Sequence, residues 1–179
     1  MKLTVTEHPD VLIVEPRVFE DSRGAFFEAY NQTTFKKLGL PNDFVQDNQS
    51  TSTKDVLRGL HYQIGQPQGK LIRVLRGEIF DVSIDCRRKS QRFRQSVCVR
   101  LSAENRKMLW IPPGFAHGFL VLSDQADVLY KTTDFYASEQ ERTLIWNDPE
   151  LSIPWPTAKP ILSVKDQQGL PLSQVELFE

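Results

Sequence analysis

The sequence predicts an all-β protein, a double-sheet jelly roll or barrel with a few short helices. Three observations predict it. Apolar and polar residues alternate through most of the chain, the alternating segments are short and nearly evenly spaced, and glycines and prolines separate them. An interior of this kind can hold a small ligand, with inward side chains converging from distant parts of the sequence.

The elements follow in order. Strands are expected at 11–18, 25–30 and 44–53, and again at 56–63. Residues 70–76 and 78–85 make two more, with Gly77 at the turn between them. In the second of these Phe80, Val82 and Ile84 share one face, and Ile79, Asp81, Ser83 and Asp85 the other. Further strands are expected at 97–101, 107–111, 118–122, 127–133 and 143–146. One helix reads clearly, at 34–38, capped by Asn31 or Thr33 and ended by Gly39 and Pro41. A second short helix is expected near 172–177, after a Pro-rich loop at 149–160.

The chain has 179 residues, 40% apolar and 25% charged, which suits one domain, 1–179, with a real core. A net charge of −1 excludes a bulk electrostatic footprint for nucleic acid, so an anionic ligand has to be held by a few placed cations. The two cysteines, Cys86 and Cys98, give neither a disulfide framework nor zinc spacing. No apolar run reaches membrane-spanning length, and residues 1–7 lack a signal-peptide core; the expected location is cytoplasmic, with no membrane partner.

The chemistry-bearing residues sit on strands. His61 lies in a strand-like run with Arg58 and Gly59, and Lys70 follows Gln68 and Gly69. His117 closes a turn made by Pro112, Pro113 and Gly114. A lone strand histidine is more often a hydrogen-bonded structural residue than a catalyst. The nearby cations favour chemistry, because buried cations are costly unless something anionic answers them. Strict alternation puts Gly59, His61 and Gln63 on one face and Arg58, Leu60 and Tyr62 on the other. Arg58 therefore reaches the cavity of His61 only if Gly59 marks a bulge or bend. Lys70 points inward if Ile72 and Val74 face the core; otherwise its ammonium snorkels to water. Tyr130 and Tyr136 read as packing residues or as acids facing a ligand. Asp166 matters only if the C-terminal segment folds back behind His61, where it would orient the imidazole. His8 falls in a segment expected to fray. With no carboxylate beside His61 and His117 on their strands, no metal is expected. Arg23, between Phe19 and Phe26 and close to Glu28, reads as a solvated turn or as a site for a nucleotide end.

Several of these runs, in this order, resemble the dTDP-4-dehydrorhamnose 3,5-epimerase family: 19–28, 44–48, 57–63, 68–70, 110–119, 129–131, 144–148 and 163–166. The resemblance implies a cupin-type jelly roll, a homodimer, and no metal or organic cofactor. It implies His61 as general base with Asp166 as its partner, Tyr130 as acid on the opposite face of a sugar, and Lys70 as the cation for an enolate oxygen. It places His117 in the sugar pocket and Arg58 and Arg23 on a diphosphate. Phe19, Phe26, Glu28, Gln46, Asn48 and Tyr136 match positions around a thymidine, part of the N-terminal set reaching the partner's site. The activity implied is inversion at C3 and C5 of a dTDP-4-keto-6-deoxyhexose. An epimerase acting at C3 alone, a keto-isomerase, a sugar-nucleotide-binding cupin without turnover, and a metal-dependent cupin are the alternatives.

Overall fold

The computed structural model describes residues 1–179. The chain runs through β1 (Lys2–Val5), β2 (Leu12–Glu15), β3 (Val18–Asp21), β4 (Gly24–Phe27), α1 (Gln32–Lys37) and β5 (Gln46–Thr53). It continues through β6 (Leu57–Gln63), β7 (Lys70–Arg76), β8 (Glu78–Asp85), β9 (Ser96–Ser102) and β10 (Met108–Ile111). β11 (Phe115–Val121), β12 (Gln125–Thr132), β13 (Glu141–Thr143) and α2 (Val164–Gln167) complete it. One sheet has the order β1-β2-β10-β7-β12-β5, the other β13-β6-β11-β8-β9, and β3 pairs only with β4 as a projecting hairpin. The two sheets face each other as a cupin-type jelly roll.

Three apolar clusters hold this arrangement. Ile72, Val74, Ile79, Leu109, Phe119 and Val128 fill the space between the sheets. The outer face of the five-stranded sheet is covered by the C-terminal segment, where Leu144, Leu172, Val175 and Leu177 pack on Leu60, Tyr62, Val82 and Ile84. The outer face of the other sheet is covered by α1 and the turn after it, through Phe35 and Leu40 against Leu71, Met108 and Trp110. Each sheet is thus buried on both faces where it carries the site, so inward positions are free to be polar provided they find partners.

The expected elements differ from these in ways with local causes. The strand expected at 11–18 breaks in two around Pro16, which has no N–H for the ladder. Of residues 143–146, β13 keeps Thr143; Leu144 still exchanges two backbone hydrogen bonds with Leu60 and bridges to Leu170, and the chain leaves the sheet after it. The helix at 172–177 does not form: Leu172, Val175 and Leu177 are buried in irregular backbone, and the short C-terminal helix lies earlier, at α2. The helix expected at 34–38 spans Gln32–Lys37, with the Asn31 side chain accepting from the Thr34 amide. His8 is not frayed. It is 1% exposed, its Nε2 lies 3.1 Å from Asp85 and its ring packs edge-on against Phe115.

Candidate active site

The site grows from a bulge in β6. β11 pairs with β6 so that His117 faces His61 but Phe119 faces Arg58: three residues along β6 match two along β11. The extra residue reverses the parity, so Arg58 and His61 share the inward face. Gly59 makes this possible, with φ of +117°, in the region that favours glycine. A Cβ there would lie 2.6 Å from the Gly118 Cα, so the two backbones can approach only because neither residue has a side chain. The condition attached to Arg58 in the sequence is therefore met.

Neighbouring strands supply the rest. Lys70 opens β7 and points inward with Ile72 and Val74, the two that reach the central cluster. Tyr130 pairs with Ile72 across β7 and with Asn48 across β5, which turns all three to the interior. His117 pairs with Ser83 on β8, and its Nε2 is 2.9 Å from the fully buried Asp81. A cavity of about 500 Å³ is lined by Arg58, His61, Lys70, His117, Tyr130 and Asp166 among others. A second hollow of about 300 Å³ shares His61, Lys70 and Tyr130, and adds Gln46, Asn48 and Tyr136.

The C-terminal segment does fold back behind His61. Ser163 caps α2 by accepting from the Asp166 amide, and Asp166 Oδ1 lies 2.6 Å from His61 Nε2. Nδ1 of His61 makes no hydrogen bond; Oε1 of Glu141 is 4.0 Å away. Burial pushes the Asp166 carboxyl up. The hydrogen bonds from His61 and Ser163 and the Gly59 amide overcome that and hold it below its ordinary value. Lys70 behaves oppositely. Burial lowers it to about 8, with the Glu141 and Asp81 carboxylates only partly compensating, and its Nζ donates to the His61 carbonyl at 3.3 Å. Burial also raises the Tyr130 phenol, against the pull of Arg58. Arg58 itself is steadied by donating from Nε to Ser52 at 2.9 Å.

The structure does not bring every candidate together. Phe19, Arg23 and Phe26 lie around their own hollow on the β3–β4 hairpin, with Phe26 73% exposed. Arg23 is tied to Asp21, and Glu28 accepts from Asn31 and Thr34. Two residues that matter to the site carry no mark in the sequence pattern. Asp81, the partner of His117, reads as one polar position in an alternating strand. Glu141 stands in a charged run that reads as solvated surface. Only the pairing of β13 with β6 reveals its direction. No group of three or more His, Cys, Asp or Glu side chains is gathered in a way that could hold a metal ion.

A family model described as dTDP-4-dehydrorhamnose 3,5-epimerase matches residues 5–174. The chain belongs to this family. The dTDP-4-dehydrorhamnose 3,5-epimerase of Pseudomonas aeruginosa is 58% identical over 180 residues, covering 99% of each chain. That of Shigella flexneri is 52% identical, again covering 99% of both. Among solved structures, the dTDP-6-deoxy-D-glucose-3,5-epimerase of Legionella pneumophila, in complex with dTDP-4-keto-L-rhamnose, superposes with a TM-score of 0.94. It is 46% identical and covers 98% of this chain and 94% of its own. The epimerase family thus spans the whole cavity described above, from the β6 bulge to Asp166.

Proposed function

We propose that this protein is a dTDP-4-dehydrorhamnose 3,5-epimerase, inverting C3 and C5 of dTDP-4-keto-6-deoxy-D-glucose to give dTDP-4-keto-L-rhamnose. One observation carries the reading. The His61 imidazole is tied through one nitrogen to Asp166 and leaves the other unbonded, in a cavity whose wall also holds the Tyr130 phenol and the Lys70 ammonium. The ketone at C4 acidifies the hydrogens on C3 and C5. His61 takes one of them, and the electron pair of that C–H bond passes into an enolate with its charge on O4. Lys70, preorganised in a water-poor site, stabilises that charge, which is largest after the proton has left. Tyr130 returns a proton from the other face of the ring, inverting the centre. Exchange with solvent returns His61 to its neutral form and Tyr130 to its phenol, and a second round at the other carbon completes the product by proton transfers alone.

The remaining assignments belong to the same proposal. His117, fixed by Asp81, lines the sugar pocket, and Arg58 meets the diphosphate. Gln46, Asn48 and Tyr136 lie toward the thymidine. Phe19, Arg23, Phe26 and Glu28, set apart on the exposed hairpin, complete the site of a partner subunit in a homodimer. Residues 1–179 act as one cupin-type domain, in the cytoplasm. No helix is long and apolar enough to cross a membrane.

Incubation with the keto-sugar nucleotide in D₂O, with deuterium counted at each carbon, tests this. Label at both C3 and C5, with inverted product, is expected. Label at C3 alone would make the protein a single-site epimerase, and none at all would reduce it to a binder.

A further inference from the structure

β13 is three residues long, and its register decides where its side chains go. Thr143 pairs with His61 and Glu141 with Gln63, and directly opposed residues of antiparallel strands point to the same side of the sheet. Glu141 is therefore turned into the cavity, with its side chain 13% exposed. Its Oε2 accepts from the Tyr136 hydroxyl at 2.7 Å and from the Lys165 ammonium. Its Oε1 has no hydrogen-bond partner and lies 4.0 Å from the unbonded Nδ1 of His61. Burial pushes this carboxyl up, but the bonds from Lys165 and Tyr136 and the nearby His61 bring it below its ordinary value, so it is held as a carboxylate. Tyr136 and Lys165 are both largely exposed and come from different segments, the loop after β12 and α2. A partly buried carboxylate that gathers exposed side chains at the mouth of a cavity adds little to the core.

We propose that Glu141 is a positioning residue of this site: one oxygen holds the Tyr136 phenol and the Lys165 ammonium at the rim, and the other sets a negative charge beside the open nitrogen of His61. The inference rests on the epimerase reading. When His61 has taken a carbon-bound proton it is an imidazolium, and it then stands between two carboxylates, Asp166 and Glu141. Opposite charge at this distance favours the protonated ring, and so favours the charge-separated state in which the enolate exists. Glu141 acts on the proton-abstraction step through His61, and on substrate placement through Tyr136.

The test compares wild type, Glu141→Gln, Glu141→Asp and Tyr136→Phe in the D₂O assay. Glu141→Gln keeps the shape and removes the charge. Its rate of deuterium incorporation at C3 and C5 is expected to fall roughly ten- to a hundredfold, short of the ~10²–10⁴-fold loss of a direct acid–base partner. KM should change by less than about threefold, because the Gln carbonyl can still accept from the Tyr136 hydroxyl and keep it placed. Glu141→Asp, which restores the charge, should recover part of kcat. Tyr136→Phe should raise KM and leave kcat within about threefold. Wild-type kcat in Glu141→Gln, a loss confined to KM, or no recovery in Glu141→Asp would each overturn the inference. An unlabelled product from wild type would instead overturn the epimerase reading itself. Thermal melting of each variant near that of wild type confirms that the rates report on the site.

Discussion

His61 and His8 are each hydrogen-bonded to an aspartate that the fold buries, yet their surroundings differ in what the imidazole can do. His8 is 1% exposed and both its nitrogens are engaged: Nε2 with Asp85, Nδ1 with the amide of Asp10. Asp85 is in turn gripped by Arg87 through two bonds of 2.8 Å. The His61 side chain is 27% exposed, has one nitrogen on Asp166 and keeps the other open to a cavity. The same pair of groups therefore serves as a structural latch in one place and as a candidate base in the other. What separates them is a free nitrogen, room for a ligand and a cation to answer the charge that develops.

The largest expected effect breaks the comparison at its active member. His61→Ala should lower turnover by ~10³-fold or more, at the upper end of what one acid–base group supplies. Steady-state rates near wild type would remove His61 from the mechanism. Asp166→Asn should cost less, ~10–10²-fold, because the imidazole remains and only its orientation and charge partner are lost. Tyr130→Phe separates the two half-reactions. Abstraction by His61 should continue as deuterium exchange with retention while inversion is lost. If exchange stops too, the phenol does something other than deliver the second proton.

Lys70 sharpens the comparison by its pH dependence. Burial lowers this ammonium from 10.5 to about 8. The proposed mechanism needs the charged form, so activity should decline as pH rises through about 8. Stability should move the other way. Between about 8 and 10.5 the unfolded chain binds more protons than the folded one, so unfolding becomes harder as pH rises across that window. Lys70→Met should accordingly cost ~10²-fold or more in kcat. The same change should stabilise the fold by about 1–3 kcal/mol in urea unfolding, since a buried cation gives way to a methionine of similar length. A variant that loses both activity and stability would show that Lys70 is needed to build the site.

These contrasts explain what the sequence reveals and where it falls silent. Alternation in 70–76, 78–85 and 97–101 is enough to show strands and a jelly roll, and it puts Lys70 on the face of Ile72 and Val74 without saying that this face is the inner one. It places Arg58 on the wrong face, because one bulged residue at Gly59 inverts parity and only the pairing with β11 exposes it. On β8 alternation separates two faces but does not show that both are buried, since the C-terminal cover over Val82 and Ile84 comes from far along the chain. Asp166 and His61 meet across 105 residues of sequence, and no local pattern encodes that approach. Glu141 is hidden for a related reason: a three-residue edge strand is too short to show a period. The helix expected at 172–177 fails because Leu172, Val175 and Leu177 follow the shape of the sheet they cover, and the sheet accepts them without helical backbone.

The smallest effect on activity is expected at the latch. His8→Ala leaves the cavity wall untouched, so kcat and KM should stay within about twofold of wild type. Stability should fall by about 1–3 kcal/mol, read as a lower urea midpoint at unchanged m-value, because a buried aspartate loses one of its partners and Phe115 loses an edge contact. Acid should expose the same region. Burial raises Asp85, but the bonds from Arg87 outweigh it and bring the carboxyl down to about 2. A carboxylate held below its unfolded value of 3.8 contributes stability that is present above that pH and is lost as pH falls from there through about 2. His8→Ala leaves Arg87 in place, so this acid loss should persist in the variant, starting from a lower plateau. A variant that melts like wild type at neutral pH would mean that Arg87 alone secures Asp85. A variant that loses activity while keeping its fold would mean that the latch reaches the chemistry after all, through Phe115 and the strand that carries His117.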